Sequence, residues 1–172
     1  SDYVEAYSNL GFTLHKLDRL GEAKARFFQK LILKPDYAEA YNNLGITLRE
    51  LGKLSKAEAS LEKALILKPD SAEAHNNLGV TLRELGRLEE AEASYRRALA
   101  LSPNDSEAML NLSIVLNNMN KTESEIYSLQ KVLQIDTNDR GLRARVRLGI
   151  LKFLEDDFVE SKKQLLAANK IQ

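Results

Sequence analysis

Residues 38–71 read AEAYNNLGITLRELGKLSKAEASLEKALILKPDS, residues 72–105 read AEAHNNLGVTLRELGRLEEAEASYRRALALSPND, and 22 of the 34 aligned positions are identical. The three prolines, Pro35, Pro69 and Pro103, keep the same 34-residue interval, as do Gly11, Gly45 and Gly79. Internal self-similarity at such a period means that the chain is built from one small unit repeated along its length. With Ala38 as position 1 of a unit, Leu10-Gly11, Leu44-Gly45 and Leu78-Gly79 fall at positions 7 and 8. Leu112-Ser113 continues the series, and Leu148-Gly149 arrives two residues late.

Each unit carries two helical patterns. Tyr41, Leu44, Gly45 and Leu48 are spaced i, i+3, i+4, i+7, the apolar stripe of an amphipathic helix, and Ala57, Leu61, Ala64 and Leu65 supply a second stripe. Between the two sits a turn position held by Asp18, Gly52, Gly86 and Asn120, residue types that tolerate the left-handed conformation with which helices end. Capping signals open the first helices: Asp2 with Glu5, Asp36 with Glu39, Asp70 with Glu73 and Asn104 with Glu107. The prolines close the second helices.

Composition narrows the function classes. The 172 residues include no cysteine, so a disulfide framework, a thiolate nucleophile and a Cys-ligated metal site are excluded. Twenty-five basic residues balance 25 acidic ones, which leaves no net field to gather phosphates. No apolar run approaches the roughly 20 residues needed to span a bilayer. No phosphate-binding loop of the G-x-x-x-x-G-K-[ST] type and no H-E-x-x-H motif is present. Of the two histidines, His75 stands at a large core position and His15 has no expected carboxylate partner. Asp156-Asp157 read as caps of a second helix rather than metal ligands. The sequence therefore predicts no enzyme, no cofactor and no metal.

The repeat resembles the tetratricopeptide repeat (TPR), whose 34-residue helix-turn-helix pattern asks for a large residue, Leu-Gly, a large residue, Ala, an aromatic or large residue, Ala and Pro. The second unit supplies Tyr41, Leu44, Gly45, Leu48, Ala57, Leu61, Ala64 and Pro69; the third supplies His75, Leu78, Gly79, Leu82, Ala91, Tyr95, Ala98 and Pro103. The first fits except that Lys30 stands where a small residue is expected. The fourth has Ser113 for Gly, Glu125 for Ala and Thr137 for Pro, and the fifth has Arg145 at a large position and an inserted pair near Gly141. The resemblance implies an all-α fold, a right-handed superhelical α-solenoid of five helix-turn-helix units at about 4–37, 38–71, 72–105, 106–139 and 142–172. These form a single array. Because Leu165, Leu166 and Ile171 have no following helix to cover them, the array is expected either to be part of a longer protein or to stack end to end with a second copy.

On the first helices, positions 2, 5, 6, 9, 12 and 13 point away from the core stripe at about 100° per residue. That face is not uniformly polar. Position 9 holds Phe12, Ile46, Val80 and Ile114, then Ile150; position 6 holds Asn9, Asn43, Asn77 and Asn111, then Arg147. The resemblance implies that this face lines the concave groove. It is similar to the asparagine-lined arrays of O-linked N-acetylglucosamine transferases, which grip protein substrates by their backbones. A carboxamide matches the C=O and N–H of one peptide unit. With helices about 10 Å apart and an extended chain advancing about 3.3 Å per residue, one rung meets roughly every third residue. Each two-bond rung would contribute about 1–3 kcal/mol with little sequence preference, leaving selection to the apolar stripe. The other reading is that the asparagines only bridge neighbouring first helices.

Asn42 and Asn76 at position 5, and Arg49 and Arg83 at position 12, complete the candidate groove. The acidic column Glu5, Glu39, Glu73 and Glu107 is explained by capping. Arg140, Arg143, Arg145 and Arg147 read as a solvated helix start rather than an anion site. The carboxylate clamp of chaperone-binding relatives, with Lys or Arg at positions 5 and 9, is absent. Three functions follow: a cytoplasmic, non-catalytic module binding extended peptide segments, with no nucleic-acid or membrane partner; the substrate-recruiting arm of a glycosyltransferase or other transferase; or a scaffold that self-assembles through its end repeats.

Overall fold

The computed structural model describes residues 10–11, 13–136, 138–154 and 158–168, and among them every regular element is an α-helix. The chain divides into two compact units, Ser1–Leu101 and Ser102–Gln172. In the first unit, helical residues 13–16 precede α1 (Leu20–Leu33), α2 (Ala38–Glu50), α3 (Leu54–Leu67), α4 (Ala72–Glu84) and α5 (Leu88–Leu101). The second holds α6 (Ser106–Asn118), α7 (Thr122–Ile135), α8 (Asp139–Leu154) and α9 (Phe158–Ala168). Each helix packs on the next within its unit, and the first helices of successive repeats also touch, α2 with α4 and α6 with α8. None of the described helices is long and apolar enough to cross a membrane.

The glycine of each Leu-Gly pair is the contact point inside a helix pair. A Cβ on Gly45 would lie 2.6 Å from Cγ of Leu61, and one on Gly79 would lie 2.7 Å from Cε1 of Tyr95. Leu61 and Tyr95 are fully buried, so the large residue of the second helix sits directly on the bare backbone of the first. Ser113, buried in the fourth repeat, turns its hydroxyl back to the Leu110 carbonyl at 2.7 Å. Lys30 occupies the small-residue position at 1% exposure, and its ammonium lies 3.6 Å from the centroid of the Tyr37 ring. That cation–π contact helps to offset the burial of a charged side chain where Ala64 and Ala98 stand in later repeats.

The turns are as the periodicity predicts. Asp18, Gly52, Gly86 and Asn120 have φ of 57°, 69°, 78° and 57°. Around Gly52, Lys53 N–H donates to the Leu48 carbonyl and Gly52 N–H to the Arg49 carbonyl, both at 2.8 Å, the paired bonds of a Schellman ending. The helix starts differ from expectation by one residue. Pro35-Asp36, Pro69-Asp70 and Pro103-Asn104 form turns, and the N-caps are Tyr37, Ser71 and Asp105. Ser71 accepts from Ala74 N–H at 3.2 Å, and Asp105 accepts from the amides of Glu107 and Ala108 at 3.0 Å. The Asp2–Glu5 pair lies outside the described residues.

Candidate interaction surface

In the first unit the Asn-Asn doublets divide. Asn43 and Asn77 are half-buried, whereas Asn42 and Asn76 are 5% and 6% exposed. The Asn42 amide nitrogen donates to Glu73 Oε1 at 2.9 Å, and its oxygen accepts from Asn77 Nδ2 at 2.9 Å. Asn42 and Asn76 therefore do not line an open groove as expected. At position 5 the helix points the side chain sideways into the seam with the neighbouring first helix, and the carboxamide of Asn42 is committed to that seam. Glu73 is correspondingly not a cap partner but the acceptor that holds Asn42. Glu39 accepts from the Tyr37 hydroxyl at 2.8 Å.

The position-6 amides keep part of their capacity. Asn77 gives one N–H to Asn42, and the Asn43 carboxamide makes no side-chain hydrogen bond among the described residues. Beside them Ile46 and Val80 are half-buried, so the apolar stripe of this unit is not sealed under the helices. Asn43, Ile46, His15 and Phe27 line one small hollow. Thr47 and Thr81, fully buried at position 10, bond the carbonyls of Asn43 and Asn77 at 2.8 and 3.0 Å. The recurrence of Thr one turn after the asparagine was the sequence signal for this support, and the pattern reading passed over it. Asn9 and Phe12 lie outside the described residues.

Charged groups at positions 12 and 13 pair across repeats. Arg49 donates to Glu84 at 3.0 Å and lies 3.7 Å from Glu50, so it is not a free cation for a ligand. Arg83 is half-buried. His15 Nε2 lies 2.7 Å from Glu50 Oε2, a carboxylate that comes from the next repeat rather than from its own helix, without the geometry of a hydrogen bond.

In the second unit the corresponding stripe is more open, with Ile114 at 40% and Ile150 at 43% exposure. Asn111 is half-buried. Two departures from the repeat pattern meet here. Glu125, 2% exposed, accepts from Arg147 Nε at 2.6 Å, and Arg147 also bonds the Asn117 carboxamide oxygen. The position-6 arginine is thus turned back onto α7 and α6. Arg140 donates to Glu107 at 3.0 Å and approaches Asp136 at 3.6 Å, while Arg143 meets Asp139 at 3.0 Å. Arg140, Arg143 and Arg147 of the basic cluster are thus matched by carboxylates, whereas the Arg145 Nε is buried with no hydrogen-bond partner among the described residues. The Asn138 backbone amide, joined by the Ser106 hydroxyl and Arg140, holds the Asp136 carboxyl below its ordinary range. Among the described residues no group of three His, Cys, Asp or Glu could hold a metal ion.

No curated protein matches the chain. Among solved structures it is similar to MamA from Desulfovibrio magneticus RS-1 (20% identity, 99% of this chain and 96% of that one, TM-score 0.85). It is also similar to pilF of Pseudomonas aeruginosa (23% identity, 99% and 77%, TM-score 0.91). A third is YrrB, described as a TPR protein with an unusual peptide-binding site (23% identity, 96% and 84%, TM-score 0.75). At these identities the likeness is one of fold. Residues 16–71 and 42–106 both match the tetratricopeptide repeat family, and together they cover more than half of the sequence, so the chain belongs to that family.

Proposed function

We propose that the chain is a non-catalytic protein-interaction module that receives extended peptide segments on the first-helix face within each of its units. The observation that carries this reading is the apolar column at position 9. Ile46 and Val80 in one unit, and Ile114 and Ile150 in the other, stay accessible on a face that the packing of the helix pairs does not use. An accessible apolar stripe beside amides is suited to holding a peptide by both side chains and backbone. The peptide-binding site named for YrrB supports the same use of the fold. Backbone contact falls to Asn43 and Asn77, whereas Asn42 holds the repeats together.

Selection of a displayed random dodecapeptide library on the intact chain tests the proposal. Enriched peptides should lose most of their binding to Ile46→Glu/Val80→Glu and bind several-fold more weakly to Asn43→Ala, with the melting temperature nearly unchanged. Asn42→Ala should instead lower the melting temperature, because it removes the buried carboxamide that bonds both Glu73 and Asn77 across the seam. Failure to enrich any peptide, or equal binding to the glutamate variant, refutes the peptide reading.

A further inference from the structure

The same seam differs between the two units. Between α2 and α4 it encloses about 200 Å3 and is crossed by the Glu73–Asn42–Asn77 chain. Between α6 and α8 it widens to a half-open hollow of about 470 Å3, in the range of roughly 300–1,000 Å3 typical of ligand pockets. Leu110 stands where Asn42 stood, Arg143 where Glu73 stood and Arg147 where Asn77 stood. No hydrogen-bonded chain can cross a leucine, and Arg147 is drawn off to Glu125 and Asn117. The longer linker brings Asp139 and Arg140 to the wall of the opened cleft.

Among the described residues its lining is mostly polar, with Leu110 as the single apolar side chain and an uneven charge count. Glu107, Asp136 and Asp139 face Arg140 and Arg143. Arg140 already meets Glu107 and Asp136, and Arg143 meets Asp139, so no guanidinium is left over while one negative charge is. An acidic ligand would have to break an existing pair. A cation would add to the excess carboxylate, and methylene groups behind it would cover Leu110.

We infer that this cleft is a side-chain pocket for a lysine of the bound peptide, with the stem against Leu110 and the ammonium at Glu107 and Asp136. The inference rests on the peptide-binding reading, since Asn111, which also lines the cleft, stands on α6 one turn before Ile114.

The test is an NMR titration of the 15N-labelled intact chain with three blocked tripeptides, acetyl-Ala-X-Ala-amide, in which X is lysine, norleucine or glutamate. The lysine peptide should move the amide resonances of Leu110, Asn111 and Arg143 with a half-saturation at least about threefold below that of norleucine, a modest charge preference for an open site. The glutamate peptide should leave them in place. Leu110→Phe should fill the cleft and weaken the lysine response, and Glu107→Gln, at an exposed position, should erase the preference over norleucine. Equal responses to lysine and norleucine, a stronger response to glutamate, or a lysine response unchanged in both variants overturns the pocket. If library selection yields peptides sensitive to Ile46→Glu but the tripeptides show no lysine preference, the pocket alone fails. If the lysine response appears without any selected peptide, the groove reading fails instead.

Discussion

Removing Arg147 alone should cost far more than removing Glu125 alone, and removing both should cost little. Glu125 is 2% exposed and Arg147 34%, joined through Nε and Oε1 at 2.6 Å. Arg147→Asn leaves a carboxylate inside the second unit with no counter-charge. Breaking a buried pair in this way costs about 3–5 kcal/mol, and the lower end applies because the arginine is a third open to water. In Glu125→Ala the arginine turns out to solvent, and the remaining loss is a small void and its hydrogen bonds, about 1 kcal/mol. The double change Glu125→Ala/Arg147→Asn restores the residues found at these positions in repeats two and three, where Ala57 and Ala91 are fully buried and Asn43 and Asn77 stand on the first helices. It should lie within about 1 kcal/mol of the parent, a coupling of roughly 3–4 kcal/mol. Repeat units unfold semi-independently, so a bulk signal mixes both halves of the chain. Hydrogen exchange of the α7 and α8 amides reads the affected unit directly. Equal losses from the two single changes, or a double variant that loses their sum, would show that the pair is incidental.

Gly79→Ala should destabilise the first unit. The new methyl would sit 2.7 Å from Cε1 of the buried Tyr95 ring, and an over-packing cost of about 1–3 kcal/mol outweighs the helix-propensity gain of about 1 kcal/mol. Gly149→Ala should be milder, because the side chain it meets, Leu165, is 40% exposed and can move; thermal melts followed by circular dichroism compare the two, and equal losses would contradict the packing account. Asp136 has a folded-state pKa below its unfolded one, so its contribution is present above the unfolded value and is lost as pH falls through the folded value. Asp136→Asn should therefore lose less stability than the parent between about pH 6 and pH 2, and superimposable acid limbs would refute the role given to the Asn138 amide and its companions.

The fold was legible because its contacts are local. Gly45 meets Leu61 and Gly79 meets Tyr95 at one sequence spacing, and the left-handed turns at Asp18, Gly52, Gly86 and Asn120 need residue types that announce themselves. The helix starts were displaced because Asp36, Asp70 and Asn104 carry capping chemistry yet sit in the turn their preceding proline imposes. The surface was half legible. In Asn42-Asn43 two identical side chains, one helical step apart, go to opposite fates, and no property of the doublet itself distinguishes them. The distinguishing signal lay one repeat away. Asn42 is a seam residue because Glu73 and Asn77 stand opposite it. Where position 5 becomes Leu110, the facing residues become Arg143 and Arg147. Glu125 likewise read as a defect until Arg147 was placed beside it. In a stacked chain each seam residue touches a counterpart about one period on, so a lone departure from the pattern predicts a strained site and a pair of departures predicts a contact. By that rule Leu110 and Arg143, which replace a hydrogen-bonded pair without forming a new one, mark the place where the seam has been opened.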